Sequence, residues 1–371
     1  MTDPTLSISK LGMKLNEKED GVIIANLIDY VARLDVLDMR GNTLGVGAAE
    51  VIAKSLSRVS SLKRAVFSDM FTGRLKDEIP VVLKSLSDAI IAGKNQLVEL
   101  DLSDNALGPS AIPGVQEFLS SEPCFSLETL RLINCGLGSA GITVANRMMQ
   151  CADNARAHGQ TFTLREFSAG RNRLEDPGAA AMSAAFKARP YFASLCLFSR
   201  FQKLGTLQHI ELPQNGIRVN GIVELAKGLG QCAQLEHLNL NDNTFTKNGA
   251  RAMARALSNI ENCLVHVDFG DCLCRAGAVD IMEALVNSHA ETLEFIDLTG
   301  NELTPDHAAQ IIEMTADLPR LRMLNLGLNC FGSQFGDVQA IIEESDAAHY
   351  IDLGDEDDDQ GSLDGEEDED E

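Results

Sequence analysis

One register of apolar and polar positions recurs along most of the chain: apolar, any, apolar, any, any, Asn, any, apolar. It reads first as Leu37-Asp38-Met39-Arg40-Gly41-Asn42 followed by Leu44. It returns at Leu100/Leu102/Asn105/Leu107, Ile210/Leu212/Asn215/Ile217, Leu238/Leu240/Asn243/Phe245, Ile296/Leu298/Asn301/Leu303 and Leu324/Leu326/Asn329/Phe331. Three variants keep the frame: Leu130/Leu132/Cys135/Leu137, Phe167/Ala169/Asn172/Leu174 and Val267/Phe269/Cys272/Cys274. Apolar residues at i and i+2 fall on one face of a short strand and point into a core. The Asn or Cys three positions later marks a turn, where a buried side chain pairs backbone groups otherwise left without partners. Gly47, Gly141, Gly178, Gly221, Gly249 and Gly277 follow five or six positions on. Each predicts the opening of a helix, and stretches such as 249–257 then carry apolar residues at helical spacing.

Each unit is therefore strand, loop, helix, loop, and only stacking buries its apolar face. From Asn215 the turn position recurs at steps of 28, 29, 29 and 28. That period identifies an α/β leucine-rich-repeat solenoid of the ribonuclease-inhibitor-like horseshoe type, with a parallel concave sheet and convex helices. Steps of 37 and 43 between Cys135, Asn172 and Asn215 mark insertions near 150–161 and 188–203. The second is aromatic and apolar for a surface loop. It reads equally as a helix extension, a partner contact or an artefact of gene prediction. Segment 62–96 is irregular, with Ala65 and Phe67 in the strand but no Asn at the turn. Asn16-Glu17-Lys18-Glu19 before an apolar run to Val31 predicts a capped helix closing the first repeat. Residues 1–346 are expected to form one domain of about eleven repeats, with 347–371 a disordered acidic tail.

Thirteen of the last twenty residues are acidic and none is basic, a composition that opposes collapse. Subtracting those thirteen from the formal charge of −24 leaves −11 for the body. No basic region precedes an apolar run at the N-terminus, and no apolar stretch approaches a membrane span, so a cytoplasmic protein is expected. The nine cysteines form no framework and read as structural thiols in a reducing compartment; Cys272-x-Cys274 has no second pair for a metal. There is no Gly-rich phosphate loop and no Gly-x-Ser-x-Gly, and His209, His237 and His266 recur one repeat apart as surface residues rather than ligands. A self-contained active site is not expected.

Two columns remain once the frame is subtracted. The middle strand position carries Asp38, Asp101, Arg131, Ser168, Glu211, Asn239, Asp268, Asp297 and Asn325, with Glu99 and Glu166 beside it. The residue before the turn Asn or Cys forms a rim: Asp69, Asp104, Asn134, Arg171, Gln214, Asp242 and Asp271. An acidic inner face and rim suit a basic protein partner and repel nucleic acid; the plainer reading is a solvated polar surface. In Leu130-Arg131-Leu132-Ile133-Asn134-Cys135 the turn position is Cys135, so Asn134 is spare to the frame.

The irregular stretch from Phe67 through Asp69, Arg74 and Lys76 to Pro80 closely resembles a signature of the GTPase-activating proteins of the small GTPase Ran. Further matches follow at Leu102–Pro109, Gly170–Glu175, Gln214–Arg218 and Asp242–Thr246, so the likeness covers roughly residues 5–345. The resemblance implies a GTPase activator in nucleocytoplasmic transport, acting on Ran in its GTP state, alone or together with a Ran-binding protein. GTP and Mg2+ would belong to that partner, leaving this chain no cofactor of its own. It implies a monomer without nucleic-acid or membrane contact, cytoplasmic or near the nuclear envelope. Many GTPase activators supply an arginine finger. This family is understood instead to order the GTPase's own catalytic glutamine with a rim asparagine, and the matching residue is Asn134. Arg74 is carried over as an accessory to catalysis and Lys76 as a partner contact. Arg171, Arg173, Asp104, Gln214, Asp242 and Asp271 are further partner contacts. No folded domain beyond the repeats is seen, so a soluble form is expected. The alternative reading is a stoichiometric scaffold or inhibitor that holds a basic protein on the acidic concave face.

Overall fold

The computed structural model describes residues 4–187, 206–260, 262–345 and 349–354. The chain divides into two compact units, Met1–Ala185 and Phe186–Glu371, where the sequence suggested one repeat domain.

The first unit is built on strands β1 (Thr5–Ser7), β2 (Lys14–Leu15), β3 (Val36–Asp38), β4 (Thr43–Leu44), β5 (Arg64–Val66), β6 (Glu99–Asp101), β7 (Thr129–Arg131) and β8 (Glu166–Ser168). Strands β1, β3, β5, β6, β7 and β8 pair in that order, all parallel. β2 and β4 form a separate parallel pair. The register places Leu37, Ala65, Leu100, Leu130 and Phe167 side by side, all at 1% exposure or less, so each strand centre is core. Helices α1 (Lys18–Tyr30), α2 (Val46–Leu56), α3 (Glu78–Ala92), α4 (Ala140–Ala157) and α5 (Glu175–Phe186) return the chain between strands. α1 starts as expected: the Asp20 carboxylate accepts the Asn16 and Glu17 N–H groups at 2.8 and 3.0 Å, pairing two donors at the helix start.

The second unit repeats the plan with β9 (His209–Glu211), β10 (His237–Asn239), β11 (His266–Asp268), β12 (Phe295–Asp297), β13 (Met323–Asn325) and β14 (Ile351–Asp352), paired in sequence order and parallel. Its helices are α6 (Val219–Leu229), α7 (Thr246–Leu257), α8 (Gly277–His289), α9 (Pro305–Met314) and α10 (Phe335–Glu344). α7 buries Ala250, Met253, Ala254 and Leu257, the i, i+3, i+4, i+7 stripe of a helix facing a core.

The turn asparagines do what the frame required. Asn172 accepts the Cys135 and Leu137 N–H groups on Oδ1 and donates from Nδ2 to the Leu132 and Ala169 carbonyls, tying its repeat to the preceding one. Asn105, Asn243 and Asn329 do the same for their neighbours. Each buried carboxamide thereby satisfies backbone groups in two repeats. The helix-opening Gly277 is also explained: a Cβ there would lie 2.6 Å from the Ala250 Cβ of the neighbouring helix.

Three expectations change. The repeat after β6 has no α-helix but three 3-10 turns, Ile112–Gly114, Phe118–Ser120 and Glu122–Cys124. Pro109, Pro113 and Pro123 interrupt it, since proline has no N–H to continue a ladder. The insertion near 150–161 is absorbed by α4, whose 18 residues exceed the 11 of α2 by about two helical turns. The tail boundary at 346 is too early. Ile351–Asp352 pairs with β13, so repeat structure reaches β14. The insertion at 188–203 and the run 355–371 lie outside the described residues.

Candidate functional site

Every member of the rim column has a left-handed backbone. φ is +48° at Asp69, +58° at Asp104, +53° at Asn134, +59° at Arg171, +54° at Gln214, +53° at Asp242 and +52° at Asp271, and the column continues through Gly300 and Leu328. Rim N–H groups reach the next repeat: Asp104 donates to the Ile133 carbonyl and Asn134 to the Gly170 carbonyl, both at 2.8 Å. The reversal that sends the chain from strand to helix demands this conformation. Asn, Asp and Gly adopt it most readily. Asn134 is therefore not spare to the backbone, as the frame alone suggested; its residue type suits the turn while its side chain stays exposed. Arg171, Gln214 and Leu328 occupy the same conformation without that preference.

On this rim the Asn134 Nδ2 donates to Asp104 Oδ1 at 2.9 Å, joining two repeats through exposed side chains. On the far side of Asp104, Asp69 is held by the Thr72 hydroxyl, 2.7 Å from its Oδ1.

Arg74 is half-buried and committed inward. Its Nε donates to Thr43 Oγ1 at 2.7 Å, and its Nη2 donates to the Thr43 carbonyl and to Asn16 Oδ1. Three hydrogen bonds thus fasten the loop after β5 to the first repeats, and the guanidinium is anchored rather than extended. Lys76, two residues on, is exposed and has no ion pair or hydrogen bond among the described residues. Arg171 and Arg173 are exposed on either side of the buried Asn172, both with positive φ.

In the second unit Gln214, Asp242 and Asp271 line an open groove of about 430 Å³ with Thr244 and Gly300. Gly300 leaves the Asp271 carboxylate the space that a Cβ would fill. Partial burial pushes the Asp271 carboxyl up, and Asp242 and Asp297 add to the effect.

The strand column is less acidic in effect than its sequence. Asp101, Asp268 and Asp297 each accept the N–H two residues on, an Asx-type turn that favours Asp or Asn at this position whatever the partner. In the first unit arginines also neutralise the face. Arg40 pairs with Asp38, Arg64 with Glu99, and Arg131 bridges Glu99 and Glu166, each at 2.7 Å. In the second unit Asp268 and Asp297 receive Asn239 and Asn325 Nδ2 instead. Burial, with Asp297 nearby, pushes Asp268 up to about 6.

The recurring histidines are not simple surface residues. His209, His237 and His266 stack with ring centroids 5.1 and 5.6 Å apart, and His266 lies flat on Phe295 at 4.1 Å. Burial holds His237 and His266 below the ordinary imidazole range.

The one-repeat spacing of His209, His237, His266 and Phe295 was the available signal for the stack. The inward turn of Arg74 had none, because Asn16 and Thr43 lie in repeats far upstream. Among the described residues no group of three or more His, Cys, Asp or Glu could hold a metal ion. No described helix is long and apolar enough to cross a membrane.

A Leucine Rich repeat family model matches residues 231–254, which contain β10, its turn Asn243 and the start of α7. The chain is 44% identical over 216 residues to Ran GTPase-activating protein 1 of Xenopus laevis, a match covering 58% of this chain and 35% of that relative. It is 38% identical to Ran GTPase-activating protein 2 of Caenorhabditis elegans over 96% of this chain and 36% of the relative. The chain thus spans about a third of the length of these two relatives. The crystal structure of a yeast Rad7 and Elc1 complex is similar in fold, with TM-score 0.55 and 15% identity over 94% of this chain and 75% of that one. The repeat frame, the pairing of its strands and these relatives agree: the chain is a leucine-rich-repeat protein, similar over 96% of its length to a Ran GTPase-activating protein.

Proposed function

We propose that this chain accelerates GTP hydrolysis by a Ran-type GTPase, contributing rim side chains to the partner's hydrolytic site and serving nucleocytoplasmic transport from the cytoplasm. GTP and Mg2+ arrive with the partner. The reading is carried by Asn134, an exposed carboxamide on the rim and held by Asp104. In this role it orders the GTPase's switch region so that the GTPase's own glutamine positions the attacking water. Such a contribution is a fixed polar group aimed at a developing transition state, which commonly changes rates on the order of a hundredfold.

Arg74 takes a supporting role here. Its hydrogen bonds to Thr43 and Asn16 disfavour a finger and suit a clamp that sets the loop carrying Lys76. Lys76, Arg171 and Arg173 then meet the partner directly, with Gln214, Asp242 and Asp271 completing the rim contacts. Binding of a basic protein on the strand face, without stimulated hydrolysis, is the competing reading; only the second unit's Asp268 and Asp297 favour it.

Single-turnover hydrolysis on GTP-loaded Ran tests the proposal. Asn134→Gly is the informative variant, because glycine keeps the left-handed backbone that alanine would strain. The stimulated rate is expected to fall on the order of a hundredfold with thermal stability preserved. Full stimulation by this variant would remove Asn134 from the mechanism.

A further inference from the structure

We propose that Asp104 is a positioning residue for Asn134, fixing its carboxamide so that Oδ1 faces a hydrogen-bond donor on the GTPase; this rests on the role given to Asn134 above. The two residues are neighbours on the rim. The Asp104 N–H donates to the carbonyl of Ile133, immediately before Asn134, and both backbones are left-handed at +58° and +53°. Their side chains meet at 2.9 Å.

An ionised carboxylate only accepts hydrogen bonds, so the amide must turn its nitrogen toward Asp104 and its oxygen away. The orientation therefore follows from chemistry, where an isolated surface amide would be ambiguous. Asn134 Oδ1 accepts no hydrogen bond among the described residues. The group it offers a partner is thus an acceptor, complementary to a backbone N–H, a hydroxyl or a side-chain amide N–H. Asp69, one repeat beyond Asp104 on the rim, is instead engaged by the Thr72 hydroxyl. An Asn at 104 would keep the left-handed turn and the shape. It would bond the Asn134 amide in either orientation and so lose the selection.

This differs from a direct contact between Asp104 and a basic residue of the partner. A direct contact changes how tightly the complex forms; a positioning residue changes how well the formed complex works. The test measures single-turnover hydrolysis by GTP-loaded Ran across a range of activator concentrations, for wild type, Asp104→Asn, Asn134→Gly and the double variant. For Asp104→Asn the maximal rate is expected to fall on the order of tenfold, with the half-saturating concentration unchanged. In the Asn134→Gly background the same substitution should have no further effect. A raised half-saturating concentration at full maximal rate would overturn the positioning role in favour of a direct contact. Additive losses in the double variant would also overturn it, as would a fully active Asp104→Asn beside an inactive Asn134→Gly. Full activity of Asn134→Gly would instead bring down the functional reading itself.

Discussion

In the first unit the strand face carries Arg40, Arg64 and Arg131 among its acids, so that Glu99 sits between two guanidiniums and Arg131 between two carboxylates. The described strands of the second unit contain no arginine or lysine. There Asp268 and Asp297 are met by asparagine amides, and three histidines stack beside them. The backbone problem is the same in both. A parallel sheet with a repeat of one strand brings every middle-position side chain within about 5 Å of its counterpart, so like charges stack. The first unit answers with alternation of sign, the second with neutral partners and shifted proton affinity. One face is therefore expected to respond to salt and the other to pH.

The largest test of this contrast is Arg131→Met. It leaves Glu99 and Glu166 without the group that bridges them, and a loss of about 2 kcal/mol is expected in denaturant unfolding. A loss below about 0.5 kcal/mol would mean the ion ladder is decoration, as most exposed pairs are. Next is Asp268→Asn. Because Asp268 binds its proton more tightly when folded, wild type loses stability as pH rises from 3.8 toward about 6. The variant lacks that loss, so its stability relative to wild type should improve by about 1 kcal/mol between pH 4 and 7. A pH-independent difference would break the comparison. The smallest effect belongs to His266→Phe. Burial depresses the His266 imidazole, so the unfolded chain takes up more protons and wild type weakens as pH falls below 6.5. The phenylalanine variant should gain about 0.5 kcal/mol on wild type from pH 7 to 5. A gain that appears only above pH 7 would sink the assignment.

Much of this was legible in residue order. The strand centres, the turn asparagines and the helix-opening glycines all follow from a period that the physics of stacking imposes. The rim column could be counted off, but its sign of φ could not. Arg171, Gln214 and Leu328 show that the turn imposes a left-handed backbone without announcing it by residue type. The arginine ladder joins residues 32 to 35 positions apart, and only strand register makes them neighbours. Arg74 illustrates the same limit at the candidate site. As a cation in an irregular loop it looked outward, whereas Asn16 and Thr43 supply acceptors that turn it inward. Asn134 could be located by subtraction, but what it presents to a partner depends on Asp104, thirty positions earlier.

The cysteines at two turns make weaker seams between repeats than the asparagine turns do. Burial lifts the Cys135 thiol to about 12 and raises Cys272 as well, so both stay protonated and donate to Leu102 and Leu240 carbonyls at 3.2 and 3.4 Å. Sulfur is a weak donor and a weak acceptor, where a carboxamide gives two good donors and a good acceptor. Since a solenoid is held as a chain of nearest-neighbour couplings, each cysteine turn is a softer joint than an asparagine turn. The Asp104–Asn134 bond crosses the Cys135 joint. The rim pair proposed to aim the carboxamide therefore also serves as the outer stitch on the seam where the sulfur sits.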